Sequence, residues 1–395
     1  MNNSFVITNA KIVMPDRIIN KGSIFIKNGW IYDISKKIVN NTSGNNILNV
    51  NENFVLPGFI DLHSDAIEAE IEPRPKANFS IDLAFRELEK KIAGNGITTI
   101  FHSISFSDRE VDLRKSEVAK NIIEKIYTQS QEFSLIRNRI HLRFEVTNTK
   151  AIDTIMQFVT KKMVDILSFM DHTPGQGQFK YIEEYERYMA FKFGFSSEKV
   201  KGIITKKRTS WSDIYNDLSY LANQALENNI ILVSHDDDSP QKVKEMKKLG
   251  VKICEFPVNI ETAKTAYEEG MNVCVGAPNI LRGGSLTNNL SAIEAIKKNY
   301  VQIICSDYYP NAILHAIFKL VKEGISLTDA VNMVSLNPAK AVGIDRYFGS
   351  IEIGKKADLV IVDCFKNIPL IVKTFVDGCL VYSIQYRKEI KQDEH

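Results

Sequence analysis

Two potential metal ligands lie one residue apart where an apolar run ends. The stretch VLPGFIDLHSD (55–65) breaks at Pro57 and Gly58, resumes as a strand-like run, and stops at His63 and Asp65. Side chains two positions apart on a strand project from the same face, so this imidazole and this carboxylate can reach one ion. Imidazole and carboxylate groups hold Zn²⁺, Mn²⁺ or Fe²⁺ in hydrolytic sites. His-x-Asp alone is a weak signal, so other residues must complete the site.

Other short apolar runs also end in ligand-type side chains: Glu145, His172, His235 and Asp307. A lone histidine at such a position is more often a hydrogen-bonded structural residue. Several such residues on separate runs, together with the His-x-Asp pair, weigh against that interpretation. The ends of parallel strands in a barrel meet at one mouth, where ligands distant in sequence become neighbours.

The middle of the chain contains the elements that a barrel requires. Eight strand candidates are separated mostly by helix-length amphipathic segments: FIDL (59–62), ITTIFHSI (97–104), IHLRFEV (140–146), VDILSFMD (164–171), IILVSHD (230–236), VKICEFP (251–257), MNVCVGAP (271–278) and VQIICSD (301–307). Eight such repeats over roughly 280 residues predict an α/β fold with a (β/α)₈ TIM barrel. A doubly wound sheet is disfavoured because no GxGxxG follows the first strand.

Both ends of the chain alternate apolar and polar residues as half-buried strands do. Near the start the strand-like runs are FVITNAKIV and SIFIKNGWIYDI. Near the end they are GSIEIGKKADLVIVDC and IPLIVKTFVDG. Neither end has enough strands for a core. We therefore expect one small β-sandwich domain from 1–54 plus 347–395, flanking a hydrolase barrel at 55–346.

One connection, at about 173–211, is unusually long and rich in aromatic and charged residues. An insertion after a barrel strand lies over the mouth, so a lid is one interpretation. A helical excursion for subunit contact is the other, and it leaves open whether the chain forms a homo-oligomer.

The composition of the chain limits the binding partners and the cellular compartment that we expect. The net charge is +2 from 50 basic and 48 acidic residues, which argues against nucleic-acid or membrane binding. We see no signal peptide and no apolar run long enough for a membrane span. Five cysteines without CxxC spacing favour reduced thiols. The sequence predicts a soluble cytoplasmic protein.

Several stretches together resemble the amidohydrolase superfamily. They are FIDLHSD, HLRFEV (141–146), FMDHTPGQGQF (169–179), SHDDD (234–238), GAPNILRGGS (276–285), SDYYP (306–310) and the C-terminal GSIEIGKKADLVIVD. More narrowly, these stretches resemble the branch of the superfamily that hydrolyses α-D-ribose 1-methylphosphonate 5-triphosphate in the carbon–phosphorus lyase pathway. It implies a metal-dependent hydrolase that releases diphosphate from a small-molecule ribose triphosphate, leaving a ribose 5-phosphate.

The resemblance also implies a divalent metal cofactor, which we expect to be two ions of Zn, Mn or Fe. In our hypothesis His63 and Asp65 bind one ion, His172 and His235 the other, and Glu145 bridges them. Asp307 is assigned as the general base and as a metal ligand. Many amidohydrolases carry the middle histidines on strands five and six, whereas our count puts them on four and five. Either a strand is missed or the ligand set differs, and Glu255 is the reserve ligand.

The remaining histidines are interpreted as structural. His102 lies within a strand and is assigned to the core or to a supporting role. His141 begins the third strand by our count, so it is expected near the opposite end of the barrel.

A triphosphate requires local cations, because the whole chain is nearly neutral. The candidates are Arg282, Lys76, Arg74 and Arg143, in that order. Arg282 adjoins a glycine-rich loop after strand seven, where barrels often bind phosphate. Arg74 and Lys76 lie in EPRPK, and Arg143 shares a strand face with Glu145, which is also its candidate ion-pair partner.

Two other functions remain open from the sequence. One is an amidohydrolase acting on a cyclic amide or an N-acyl amino acid, which would not need so many cations at the mouth. The other is a catalytically inactive scaffold, which would have no reason to keep a convergent set of ligands.

Overall fold

The structure, a computed structural model, describes residues 4–40, 46–107, 113–172, 211–284 and 290–386, with scattered positions between 183 and 202. The strands of the N-terminal segment are β1 (Ser4–Val13), β2 (Ile18–Lys27), β3 (Trp30–Ser35), β4 (Asn46–Asn49) and β5 (Phe54–Pro57). Those of the middle are β6 (Phe59–Ser64), β7 (Ile97–Phe106), β8 (Arg137–Glu145), β9 (Ile166–Met170), β10 (Ile231–His235), β11 (Ile253–Glu255), β12 (Asn272–Gly276) and β13 (Ile303–Cys305). The C-terminal strands are β14 (Leu359–Phe365), β15 (Ile368–Val376) and β16 (Cys379–Ser383).

Helices alternate with the strands of the middle segment. They are α1 (Ala66–Ile71), α2 (Ile81–Gly94), α3 (Ser116–Glu132), α4 (Ile152–Thr160), α5 (Trp211–Glu227), α6 (Pro240–Lys248), α7 (Ile260–Glu268), α8 (Ala277–Arg282), α9 (Ala292–Lys297), α10 (Ala312–Lys322), α11 (Leu327–Asn332) and α12 (Leu336–Ala341). Several begin at a side-chain cap that the sequence supplies. Ser80, Ser239 and Asn259 accept from backbone N–H groups in the first turns of α2, α6 and α7. No helix among the described residues has the length and apolar character needed to span a membrane.

The eight middle strands form one parallel sheet in the sequential order β6 to β13. The sheet curves back on itself through a parallel bridge between Ser64 and Asp307, where the Asp307 N–H donates to the His63 carbonyl at 2.9 Å. The predicted (β/α)₈ TIM barrel is confirmed, and each of the eight predicted strand runs overlaps one of these strands. No additional strand interrupts this sheet within the described residues, so the count of four and five for the middle histidines holds.

The two chain ends share a second sheet, as predicted. Its order is β16-β15-β14-β5-β1-β2-β3, and β4 pairs with β1. The sheet has its own apolar core, which includes Ile7, Ile24 and Ile361. Strand β5 pairs with both β1 and β14, which joins the N-terminal half of the sheet to the C-terminal half. The exact domain bounds of 1–54 plus 347–395 and 55–346 stay a prediction.

The barrel is filled and covered by separate groups of apolar side chains. A large cluster lies between the strands and the surrounding helices, with Phe85 and Phe144 among its fully buried members. A smaller cluster draws residues from most of the barrel strands: Ile60, Leu62, Phe101, Ile166, Val233, Ile253, Cys274, Ile303 and Cys305. This packing fixes the strands, and therefore fixes the side chains at their carboxyl ends. The insertion predicted at about 173–211 lies almost entirely outside the described residues.

Candidate active site at the barrel mouth

Three residues from three different strands form the centre of the mouth. His63 at the end of β6 contacts Glu255 at the end of β11, with 2.9 Å between His63 Nδ1 and Glu255 Oε2. His235 at the end of β10 stacks on the His63 ring at 5.3 Å and brings its Nδ1 to 3.5 Å from the same carboxylate oxygen. All three side chains are buried. The reserve ligand Glu255 therefore lies between two of the predicted ligand histidines.

His141 also lies in this centre, so its predicted position was wrong. Strand β8 starts at Arg137, three residues earlier than the predicted run, which moves His141 from the start of the strand to its middle. Its ring lies edge-on to His63 at 5.1 Å, and its Nε2 is 3.9 Å from Glu255 Oε2. The alternation along β8 could have revealed this, because residues 141, 143 and 145 share one face of the strand.

A second group lies around His172, just beyond the end of β9. Its Nδ1 is 2.9 Å from Glu145 Oε2, and its backbone N–H donates to Glu145 Oε1 at 3.0 Å. Asp236 Oδ2 is 3.6 Å from Nε2 of His172 and 3.6 Å from Nε2 of His235. Glu145 therefore faces His172 through both oxygens, while Asp236 lies between two imidazoles. The sequence has three successive aspartates at 236–238, and the structure shows that Asp236 contacts the two histidines.

The closure of the barrel holds Asp307 beside His63. The backbone N–H of Asp65 donates to the Asp307 carbonyl at 3.1 Å, and Ser64 Oγ donates to the same carbonyl at 3.2 Å. Asp307 adopts a left-handed backbone conformation with φ of 58°, and Asp236 does so with φ of 57°. Such conformations are uncommon outside glycine and concentrate at functional sites. Asp65 is half-buried, with its Oδ2 3.4 Å from Arg114 Nη2.

Burial and local charge shift the pKa values of the mouth histidines in different directions. Burial, reinforced by the positive charge of Arg143, lowers the pKa of His63 and of His235 well below 6.5. Burial lowers the pKa of His141 to about 4. For His172, burial acts in the same direction, but the negative charges of Glu145 and Asp236 outweigh it and raise the pKa. The histidines around Glu255 are therefore neutral at pH 7, which is the form of imidazole that binds a metal ion.

The buried carboxylic acids shift the other way. Burial raises the pKa of Glu255 to about 7. Burial, and then repulsion from Asp65, raises the pKa of Asp307 to about 8. Burial likewise raises the pKa of Asp61, behind His63 on β6, to about 7. Such shifts cluster at functional sites because many polar groups there share one desolvated space.

The donor set of the mouth fits a divalent metal. Ligand atoms of His63, His235 and Glu255 lie within 4.8 Å of one another, and so do those of His172, His235 and Asp236. Glu255 Oε1 is buried and forms no hydrogen bond with any described residue. A buried carboxylate oxygen without a partner is costly, and a cation would satisfy it.

One of the four predicted substrate cations lies inside the mouth. Arg143 on β8 is only 5% exposed, and its Nη2 donates to His235 Nε2 at 2.8 Å. Glu145, its predicted ion-pair partner on the same strand, contacts His172. Arg143 lowers the pKa of both Glu255 and Asp307, so its charge acts across the mouth.

The other three cations are exposed on segments that follow barrel strands β6 and β12, and we call these segments the rim. Arg74 and Lys76 are exposed in the loop after α1, where the Lys76 N–H donates to Glu72 Oε1 at 2.6 Å. Arg282 is exposed at the end of α8, before the left-handed Gly283. Among the described residues, no hydrogen bond or ion pair joins these three side chains to the buried groups. Residues 285–289 of the glycine-rich loop lie outside the described part of the chain.

Comparison with known proteins agrees with this geometry. The amidohydrolase family model matches residues 54–384, and the chain belongs to the amidohydrolase family.

Within that family, the chain is similar to the alpha-D-ribose 1-methylphosphonate 5-triphosphate diphosphatase of Escherichia coli (strain K12). The two are 31% identical over 364 residues, which cover 90% of this chain and 94% of the other. A dihydroorotase of Clostridium botulinum (strain Eklund 17B / Type B) is 24% identical over 400 residues, covering 94% of this chain and 92% of the other. A crystal structure of an amidohydrolase matches with a TM-score of 0.65 at 15% identity, covering 97% of this chain and all (100%) of that one. This last likeness concerns the fold alone.

Proposed function

We propose that this amidohydrolase cleaves the triphosphate of α-D-ribose 1-methylphosphonate 5-triphosphate and releases diphosphate, in phosphonate catabolism. The observation that carries the proposal is the similarity to the Escherichia coli diphosphatase along 90% of this chain. The buried imidazoles and carboxylates of the mouth support metal-dependent hydrolysis. The substrate is a small molecule, and neither nucleic acid nor a membrane is required.

The cofactor in this proposal is a divalent metal, as two ions of Zn, Mn or Fe. His63, His235 and Glu255 would hold one ion, and His172, Asp236 and Glu145 the other, with His235 facing both positions. Asp65 and Asp307 stay expected ligands beside His63. The bridging role expected of Glu145 suits Glu255 better, because Glu255 contacts imidazoles from two strands. A divalent metal would supply a Lewis acid that polarises a phosphoryl oxygen and lowers the pKa of a water molecule.

Asp307 is the group that takes the proton from the attacking water. The backbone contacts with β6 fix its position relative to His63. An ionised carboxylate held there can accept a proton from a neighbouring water molecule.

The cations divide the work of binding a polyphosphate. Arg143 faces the buried groups and would contact the phosphoryl group at which the chemistry occurs. Arg282, Lys76 and Arg74 would contact the outer phosphates, which lie nearer the rim. Guanidinium groups suit this role because they bind phosphate oxygens in pairs.

One assay on the purified holoenzyme tests the proposal. Metal content is measured, and diphosphate release is then compared for the ribose 1-methylphosphonate 5-triphosphate, for ribose 5-triphosphate and for a nucleoside 5-triphosphate. We expect diphosphate and a ribose 5-phosphate from the first, with the lowest KM. Monophosphate release, or the absence of turnover in metal-loaded protein, would contradict the proposal.

The alternative is hydrolysis of a cyclic amide or an N-acyl amino acid, which the similarity to a dihydroorotase favours. The same preparation is tested with dihydroorotate and N-acyl amino acids. Turnover of an amide without diphosphate release from the triphosphates would favour the alternative.

A further inference from the structure

His141 has a fixed orientation that the proposed reaction does not explain. Its Nδ1 lies 2.9 Å from the Leu62 carbonyl oxygen and 3.3 Å from Ser103 Oγ. A carbonyl oxygen can only accept, so Nδ1 carries the hydrogen and the ring presents Nε2 to the mouth. Metal-binding histidines are commonly oriented in this way, with the other ring N–H donated to a backbone carbonyl.

The nitrogen on the mouth side of the His141 ring lacks a hydrogen-bond partner among the described residues. His141 is fully buried, and its Nε2 forms no hydrogen bond with any described residue. Glu255 Oε1 is in the same condition. Leaving each of these buried atoms without a partner costs free energy, and a cation bound by both His141 and Glu255 would remove that cost.

The separation of the two groups fits an ion better than a hydrogen bond. His141 Nε2 and Glu255 Oε2 are 3.9 Å apart, which exceeds hydrogen-bond length. Nitrogen and oxygen ligands of Zn²⁺ lie about 2.1 Å from the ion, so two ligands of one ion are at most about 4.2 Å apart. Both atoms can therefore reach the same ion with little movement.

We propose that His141 is a metal ligand, whose Nε2 binds one divalent cation together with the Glu255 carboxylate, beside His63 and His235. The site is rich in imidazole, which suits Zn²⁺, Co²⁺ or Fe²⁺ better than Mg²⁺ or Ca²⁺. The inference rests on the proposed function only in requiring a metal at the mouth.

The first test is metal binding by a variant with a matched control. Full-length protein is stripped with a chelator and titrated with Zn²⁺ against a chromophoric competitor, and with Co²⁺ by visible absorption. His141→Asn removes the proposed ligand. His102→Asn removes another fully buried histidine from the neighbouring strand β7, where it contacts Asn138 rather than the mouth.

We expect His141→Asn to weaken binding of one equivalent of Zn²⁺ by more than about 100-fold, since loss of a mere outer partner costs about 10–100-fold. The Co²⁺ spectrum should change as well. His102→Asn should keep the wild-type affinity and spectrum. Unchanged affinity and an unchanged Co²⁺ spectrum in His141→Asn would overturn the inference.

Nitrogen NMR of the wild type gives a readout that does not depend on folding of the variant. In protein with ¹⁵N-labelled histidine, Zn²⁺ should shift the Nε2 resonance of His141 directly. A resonance that stays in place while Zn²⁺ binds would overturn the inference even if His141→Asn binds metal weakly, because the residue would then act only by positioning others. Absence of diphosphate release by wild-type protein would refute the proposed function and leave this result valid.

Discussion

The interior of the barrel mouth and its rim contain charged groups of very different character. In the interior, His63, Glu255 and Arg143 are buried on strands, and each contacts another side chain of the mouth. At the rim, Arg74, Lys76 and Arg282 are exposed on loops or at a helix end. The interior groups are held in one geometry before any ligand arrives, whereas the rim groups are solvated and adjustable.

The difference in burial indicates which groups act in turnover and which act in binding. Desolvation shifts proton affinities in the interior, where the pKa of Asp307 reaches about 8 and that of Glu255 about 7. For Arg282, Lys76 and Arg74, water screens the charge, so each contributes mainly to binding. Changes in the interior should therefore alter turnover, and changes at the rim should alter KM.

The largest effect is expected for Asp307→Asn. The substitution keeps the shape of the side chain but removes the proton acceptor, so kcat should fall about 100- to 10,000-fold. At pH 7 the raised pKa of Asp307 already keeps the carboxyl protonated in metal-free protein, so folding should be little affected. Turnover is measured beside elemental analysis of bound metal, which should largely remain. Wild-type activity in this variant would remove Asp307 from the mechanism.

Arg143→Met should affect turnover less than Asp307→Asn and should also change its pH dependence. The guanidinium lowers the pKa of Asp307 and of Glu255, so its loss raises both. Asp307 then becomes ionised only at higher pH, and the acidic limb of the kcat profile should move to higher pH. Arg139→Met is the control, because Arg139 lies on the same strand but pairs with Asp165. A profile that does not move would place Arg143 outside the electrostatics of the reaction.

Arg282→Ala should weaken substrate binding without slowing turnover, as we expect for a rim cation. Loss of one contact to a charged phosphate costs about 1.5–3 kcal/mol, so KM for the triphosphate should rise roughly 10- to 100-fold with kcat nearly unchanged. Thermal stability should stay the same, because the side chain is exposed. Arg346→Ala, at another exposed arginine, serves as control. Equal KM values in the two variants would exclude Arg282 from substrate binding.

The smallest effect concerns His102, which is buried on β7 outside the mouth. Burial lowers its pKa to about 4, against about 6.5 in the unfolded chain. The unfolded chain therefore binds one more proton below pH 6.5, so stability is lost as the pH falls from 6.5 toward 4. Between pH 6.5 and 5.5 the metal-free wild type should lose about 1 kcal/mol more than His102→Asn. Urea unfolding at the two pH values measures this, and equal losses would mean that His102 is not buried in its neutral form.

The architecture could be predicted from local patterns in the sequence. Alternation at the chain ends and eight apolar runs in the middle are local patterns, and each of those runs overlaps a strand of the barrel. Candidate site residues could also be identified from the sequence, because a barrel carries functional residues at the carboxyl ends of its strands. His63, His172, His235 and Glu145 were found in this way, and they do meet at the mouth.

Which of these residues face one another could not be predicted without the tertiary structure. An error of three residues in the start of β8 misplaced His141 by about 10 Å, since each residue of a strand spans about 3.3 Å. Glu255 and Glu145 are both strand-end carboxylates, yet only the curvature of the sheet brings Glu255 between His63 and His235. The register of the strands and the closure of the barrel depend on packing between residues far apart in the chain. A local sequence pattern does not specify that packing.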